Sequence, residues 1–161
     1  MDGPPNWFFL FPLVWIGLVI GASIIYRLSK GKPIWYRDPP NNLFLEKRAS
    51  GNSRRAWYTQ LGGARNALAV AVTPEHLIIR PLFPFNLMFL PEVYGLEAVI
   101  PIGRIRSVEV GRHFGQKVIN VDFEQSSGEI EGYSLALRQQ DRFLDSLDRA
   151  RGTPEWDTTV R

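Results

Sequence analysis

The chain has 161 residues, a net charge of +3 and no cysteine, which excludes disulfides, thiolate zinc sites and cysteine nucleophiles. The basic excess is local: residues 27–55 carry eight basic residues against two acids, and residues 56–161 carry eleven against thirteen. A positive cluster directly after an apolar stretch speaks of membrane orientation and anionic lipid, and no nucleic-acid-binding signature accompanies it.

After a short tail, residues 1–6, the segment Trp7–Tyr26 reads WFFLFPLVWIGLVIGASIIY, twenty residues without a charge. At 1.5 Å per residue it spans roughly 30 Å, about the thickness of a bilayer core, and predicts one transmembrane helix over 7–26. Trp7 and Tyr26 sit at the ends, where amphipathic rings prefer the headgroup level, and Trp15 is a further aromatic of the anchor. A cleaved signal peptide would need a positive leading region and a shorter apolar core. Here the flank MDGPPN holds Asp2 and no Lys or Arg. Arg27, Lys30, Lys32 and Arg37 follow the segment, so the positive-inside rule places the N-terminus outside and the rest in the cytoplasm of an inner or plasma membrane. Gly17 and Gly21 stand one turn apart as GxxxG; they either form a strip where a second helix pairs into a homodimer or simply fill the helix.

Residues 27–42 (RLSKGKPIWYRDPPNN) read as a basic linker, since Gly31, Pro33, Pro39 and Pro40 break a long helix. Trp35 and Tyr36, beside Lys32 and Arg37, suit a segment lying on headgroups. A domain is expected over 43–152. Its predicted strands begin with Leu43–Lys47 and Ala56–Leu61 around a polar loop, SGNSRR. In 67–72, Leu68, Val70 and Val72 point one way and Ala67, Ala69 and Ala71 the other. Thr73–His76 makes a turn into a strand over Leu77–Arg80. The stretch 81–99 is an insertion. Further strands follow at 105–111, where Val108 and Val110 share a face, and at Ile119, Val121 and Phe123. Ser126, Ser127 and Gly128 turn the chain into Tyr133, Leu135 and Leu137. Phe143, Leu144, Leu147 and Ala150 then form a helical stripe that ends at Gly152 and Pro154, and 153–161 is a tail. The predicted fold class is α+β: an N-terminal helix, a seven-strand bent antiparallel sheet or partly open barrel, and a C-terminal helix capping it.

This order of features resembles a bacterial pleckstrin-homology-like or GRAM-like domain over about residues 43–151. The resemblance lies in NALAVAVTPEHLIIRP, in AVIPIGRIRSVEV, and in the hairpin KVINVDFEQSSGEIEGYSLAL followed by the closing helix; residues 81–99 depart from the pattern. It implies a binding scaffold. Some relatives bind inositides through basic residues around the first strand–strand loop, where Arg48, Arg54 and Arg55 lie here, although the spaced Lys/Arg pattern of inositide binders is absent.

The residues offer little catalytic chemistry. His76 and His113 have no ligand-spaced partners, no serine sits in G-x-S-x-G, and Gly62-Gly63 lacks the rest of a phosphate loop. No cofactor or metal is expected. Glu129 and Glu131 share a strand face as solvated acids. Arg112, His113 and Lys117, joined by Arg104 and Arg106, form a second basic group able to receive a phosphate or an acidic partner. The most apolar stretch outside the helix is Pro81–Pro91. Either its Phe83, Phe85, Leu87, Met88, Phe89 and Leu90 enlarge the core, or Phe85, Met88 and Phe89 form an exposed docking lip. The expected function is a non-enzymatic, membrane-anchored binding or scaffold protein, with membrane lipids and a membrane or membrane-proximal protein as partners and no nucleic acid. The alternatives are an anionic-lipid sensor using Arg48, Arg54 and Arg55, and, more remotely, a membrane hydrolase.

Overall fold

A computed structural model describes residues 7–33, 36–55, 63–87, 94–113 and 115–152. Helix α1 runs Trp7–Ser29, and its stretch Leu10–Ser29 is long and apolar enough to cross a membrane. It continues past the predicted end at Tyr26 because the N–H groups of Lys30 and Lys32 still reach back to the carbonyls of Tyr26 and Arg27, at 3.1 and 2.9 Å. Gly31, at φ +66°, then takes the left-handed conformation that ends a helix without a Cβ clash. The linker therefore starts at residue 30 rather than 27.

Seven strands follow: β1 (Phe44–Ser53), β2 (Ala64–Val72), β3 (His76–Pro81), β4 (Ala98–Pro101), β5 (Ile105–His113), β6 (Gln116–Glu124) and β7 (Ile130–Ala136). They form one antiparallel sheet in the order β4-β3-β2-β1-β7-β6-β5. In a flat sheet, six strand spacings of about 4.8 Å would put β4 and β5 roughly 29 Å apart. They are joined only by the three-residue turn Ile102–Arg104, a link that spans at most about 14 Å. The sheet therefore curls until its two edges approach, and helix α2 (Gln140–Arg151) packs on β1, β2 and that turn.

Strand β1 makes the curl. Its first part pairs with β2, its last part pairs with β7, and register shifts separate Lys47, Ala49 and Gly51. Arg48 sits at the first shift with φ +66°, a bulge that bends the strand and raises its twist. Four of the six residues of the predicted polar loop are thus strand: Ser50, Gly51, Asn52 and Ser53 pair with Ala136, Leu135, Ser134 and Tyr133. The β7 ladder bonds the backbone of all four, and β2 reaches as far as Gly51 on the other side. The predicted strand Ala56–Leu61 lies outside the described residues. Strand β4, which carries Ala98 and Val99 from the end of the predicted insertion, pairs with β3 from His76↔Pro101 to Ile79↔Ala98.

The core collects the alternating residues read from sequence. Leu68, Val70, Val72, Ile119, Val121, Phe123, Tyr133, Leu135 and Leu137 are all buried in one cluster with Phe143 and Leu147 of α2. Phe143 meets Phe44 edge-on, with ring centroids 5.5 Å apart. Glu46, buried in β1, turns its carboxylate to the start of α2 and accepts the N–H groups of Arg138 and Gln139 at 2.8 and 3.1 Å. A negative group there complements the positive end of the helix dipole. At the other end Gly152 closes α2 in the left-handed conformation.

Candidate functional site

The site with the most unusual chemistry lies where α1 meets the sheet. Ile20, Ser23, Ile24 and Arg27 recur at helical spacing, and they are the partly or fully buried face of α1's last turns. The turn Phe85–Leu87, in the segment joining β3 to β4, packs against this helix. Arg27 is 0% exposed, at a place where a lone guanidinium would carry a large desolvation penalty. Glu97 supplies the counter-charge: its Oε2 lies 3.5 Å from the Arg27 guanidinium and 3.4 Å from Lys32 Nζ. Arg27 also donates to the Tyr36 hydroxyl at 2.5 Å and to the Pro33 carbonyl at 3.3 Å. Tyr36 in turn donates to Glu97 Oε1. Arg80 lies over the Tyr36 ring, 5.1 Å from its centroid, and donates to the Arg37 carbonyl.

Burial raises the Tyr36 hydroxyl's pKa, and the hydrogen bond to Glu97 and its negative charge push the same way. The Tyr36 hydroxyl bonds within the protein, clamping the linker to Glu97, while the residue as a whole stays half-buried. Trp35 lies outside the described residues. The linker's next residues, Asp38 and Pro39, join Leu82, Phe83 and Asn86 in covering the outer face of β2 and β3. Between them and Ala69, Ala71 and Arg80 is a cavity of about 160 Å³, formed because β2 carries only alanines on that side.

The basic residues singled out in the sequence occupy separate places. Arg54 is ion-paired to Asp122 at 2.9 Å and Arg55 to Glu131 at 3.2 Å. Arg48 is exposed at the bulge, six residues before Arg54 along an extended strand, or roughly 20 Å at 3.3 Å per residue. Arg48 thus stands within β1, and Arg54 and Arg55 follow its end. Arg112 and Lys117 do come together, facing each other across the β5–β6 ladder with both side chains exposed. His113 is next to them in β5, and nothing is described of its side chain. Arg104 and Arg106 stand apart from them, bonded to Ser126 and to Glu124.

In α1, Trp15 and Tyr26 are exposed, Tyr26 with Lys30 Nζ 6.0 Å from its ring centroid; the side chain of Trp7 is not described. Gly17 and Gly21 have open space where a Cβ would be. In the connecting segment, Phe83 and Phe85 are 52% and 43% exposed; neither has joined the core, and Met88 and Phe89 lie outside the described residues. Among the described residues of this segment, Leu96 is buried with the core, and Tyr133 fixes the segment by donating to the Gly95 carbonyl at 2.5 Å.

Arg27, Glu97 and Tyr36 were not read as a unit from sequence. The signal in the sequence is one charged residue at the boundary of an apolar helix and one acid within the stretch 81–99, 70 positions apart, and nothing local pairs them. Among the described residues, no three His, Asp or Glu side chains are grouped as metal ligands would be. No family model matches the chain, and no curated protein matches it.

Proposed function

We propose that the chain is a single-pass membrane protein whose sheet domain is a non-enzymatic docking platform, held at the cytoplasmic face by α1 with the N-terminus outside. The observation that carries this reading is the buried junction. A sheet domain locked by Arg27, Glu97 and Tyr36 to the last turn of an apolar helix is held against the bilayer surface. A retained anchor also accounts for a helix face, Ile20 to Arg27, covered by its own domain, which a discarded signal sequence would leave without purpose. The excess of Lys and Arg after the helix supports the orientation.

Support for docking rather than catalysis comes from the surface. The groove around Arg54 and Arg55 is lined by acids that pair with both arginines, an arrangement without a poised nucleophile and base. Among the described residues, strand β5 (nine residues) pairs with β6 alone; the Ile105 carbonyl at its start accepts from Arg151, and Val110 is 52% exposed. An edge of that length offers a row of backbone donors and acceptors to an extended segment of a partner. Arg112 and Lys117 at its end fit a segment bearing acidic residues. The curled sheet with one closing helix supports the pleckstrin-homology-like reading of the domain.

The test uses the full chain in cells. A reporter fused after Arg161 is expected to be active only in its cytoplasmic form, and a photo-crosslinking residue at position 110 is expected to capture a membrane-associated protein that the same residue at position 130 does not. Activity of an export-dependent reporter overturns the topology. Identical crosslinks from both positions overturn the edge as the docking surface.

A further inference from the structure

We propose that the segment 82–87 is a second membrane contact, with Phe83 and Phe85 entering the headgroup–acyl boundary of the leaflet through which α1 leaves the bilayer. The inference rests on the reading that α1 spans a membrane, and it adds where the domain touches lipid and in what orientation.

Three observations place the segment at that depth. The turn Phe85–Leu87 packs on α1 itself. The face that α1 turns toward the domain runs from Ile20 to Arg27, and Ser23 lies one turn, roughly 6 Å, deeper along the helix than Arg27. Arg27 marks the end of the uncharged stretch, so a turn packed beside the Ile20–Arg27 face lies alongside the last apolar turns of the helix. The chain is also free of charge from Pro81 to Pro91, as a segment in contact with acyl chains must be.

The turn's internal construction leaves the aromatic rings as its outer surface. The Asn86 N–H donates to the Leu82 carbonyl at 3.2 Å and the Leu87 N–H to the Pro84 carbonyl at 2.9 Å, so the backbone is bonded within the turn. Asn86 is the buried residue, while Leu82 and Leu87 are half-buried. Polar groups thus point inward and phenyl rings outward, the reverse of a turn built for water. The occupant of this surface is lipid because α1, which the turn touches, brings lipid to it. Aromatic rings favour the interfacial level that the geometry gives them.

Two contacts with the bilayer would do what one helix cannot. A single helix leaves a domain free to rotate about the helix axis. A lip beside the helix fixes which side of the sheet meets the headgroups, and it shields the Arg27–Glu97 pair from water on that side, strengthening it.

The absence of cysteine makes a clean test possible. Single-cysteine variants Leu13→Cys, Phe85→Cys and Val110→Cys of the full chain are placed in vesicles of mixed neutral and anionic phospholipid. Each carries an environment-sensitive fluorophore, read with a nitroxide quencher attached to the lipid and with aqueous iodide. The expected result is loss of most emission to the lipid quencher at positions 13 and 85, and to iodide at position 110. Quenching by lipid at 13 with iodide access at 85 overturns the lip while leaving the spanning helix intact. Iodide access at 13 overturns the spanning helix and the lip with it. Shielding of position 85 from both quenchers overturns lipid as the occupant and points to another protein surface, such as a second copy of the chain. Phe83→Cys repeats the measurement outside the short turn, and an unchanged melting temperature confirms that each variant has kept its fold.

Discussion

On β2 and β3 both faces of the sheet are covered. Leu68, Val70, Leu77 and Ile79 face the core, and Ala67 and Ala71 on the opposite side of β2 are buried as well, beneath residues of the linker and of the segment after β3. On β5 and β6 one face is covered and the other is open. Ile119, Val121 and Phe123 are buried, while Ser107, Glu109, Asn120 and Asp122 stand on the outer side or at the edge, and Asp122 accepts from Arg54 and Ser107. The difference follows from which wing carries α1. The covered wing is where the chain enters the domain, and its outer layer ends in the one fully buried guanidinium among the described residues. The open wing carries surface ion pairs such as Arg106–Glu124, worth little individually, beside the like charges Arg112 and Lys117, and among the described residues β5 is its outermost strand.

The largest effect is expected where the wings share a core. Phe143 is fully buried against Phe44 and the inner face, so Phe143→Ala should destabilise the domain by about 3–5 kcal/mol. Urea unfolding should remain a single transition, because α2 bridges both wings; two separate transitions would show that the wings fold apart. Next comes the junction. Glu97→Gln leaves Arg27 and Lys32 without their carboxylate. Removing one partner of a buried pair costs about 3–5 kcal/mol, and because Glu97 keeps 20% of its side chain exposed, about 2–3 kcal/mol is expected. The measurement is melting of the full chain in micelles, together with cleavage at Lys32 by a lysine-specific protease, which should quicken as the linker comes loose. An unchanged cleavage rate would mean that the polar cluster does not hold the linker.

A pH series sharpens the same contrast. Burial raises the pKa of Tyr36, with Glu97 adding to the effect, and burial raises that of Tyr133, with the charge of Glu131 adding. Unfolded tyrosine ionises at about pH 10. A folded pKa above the unfolded one means that the unfolded chain sheds its proton first, so stability is full below about pH 10 and falls as pH climbs toward the folded values. Tyr36→Phe should remove the junction's share of that decline and Tyr133→Phe the core's share; equal slopes in wild type and the double variant would refute the assignment. The smallest change is expected on the open wing. Arg106→Gln breaks the pair with Glu124, the two side chains being 62% and 35% exposed, and should cost less than about 1 kcal/mol. A loss comparable to that of Glu97→Gln would erase the distinction between the wings.

Local pattern determined much of this protein. Twenty uncharged residues define α1, alternation at Leu68–Val72 and Ile119–Phe123 defines the inner faces, and the Phe143–Leu147 stripe defines the helix that covers them. In each case the information lies within a few residues, because side-chain direction repeats with the backbone period. Tertiary structure decided the rest. Ser50 to Ser53 read as a loop because their side chains are polar, yet they form a strand because β7 supplies a ladder from far along the chain. The alanines of β2 give no sign of what lies over them. Arg27 looked like the first residue of a solvated basic flank, and Tyr36 like a headgroup ring. Arg27 is buried and Tyr36 half-buried because the fold carries Glu97 to the foot of α1, and a charge far away in sequence can neutralise an arginine only once the chain has folded to bring the two together.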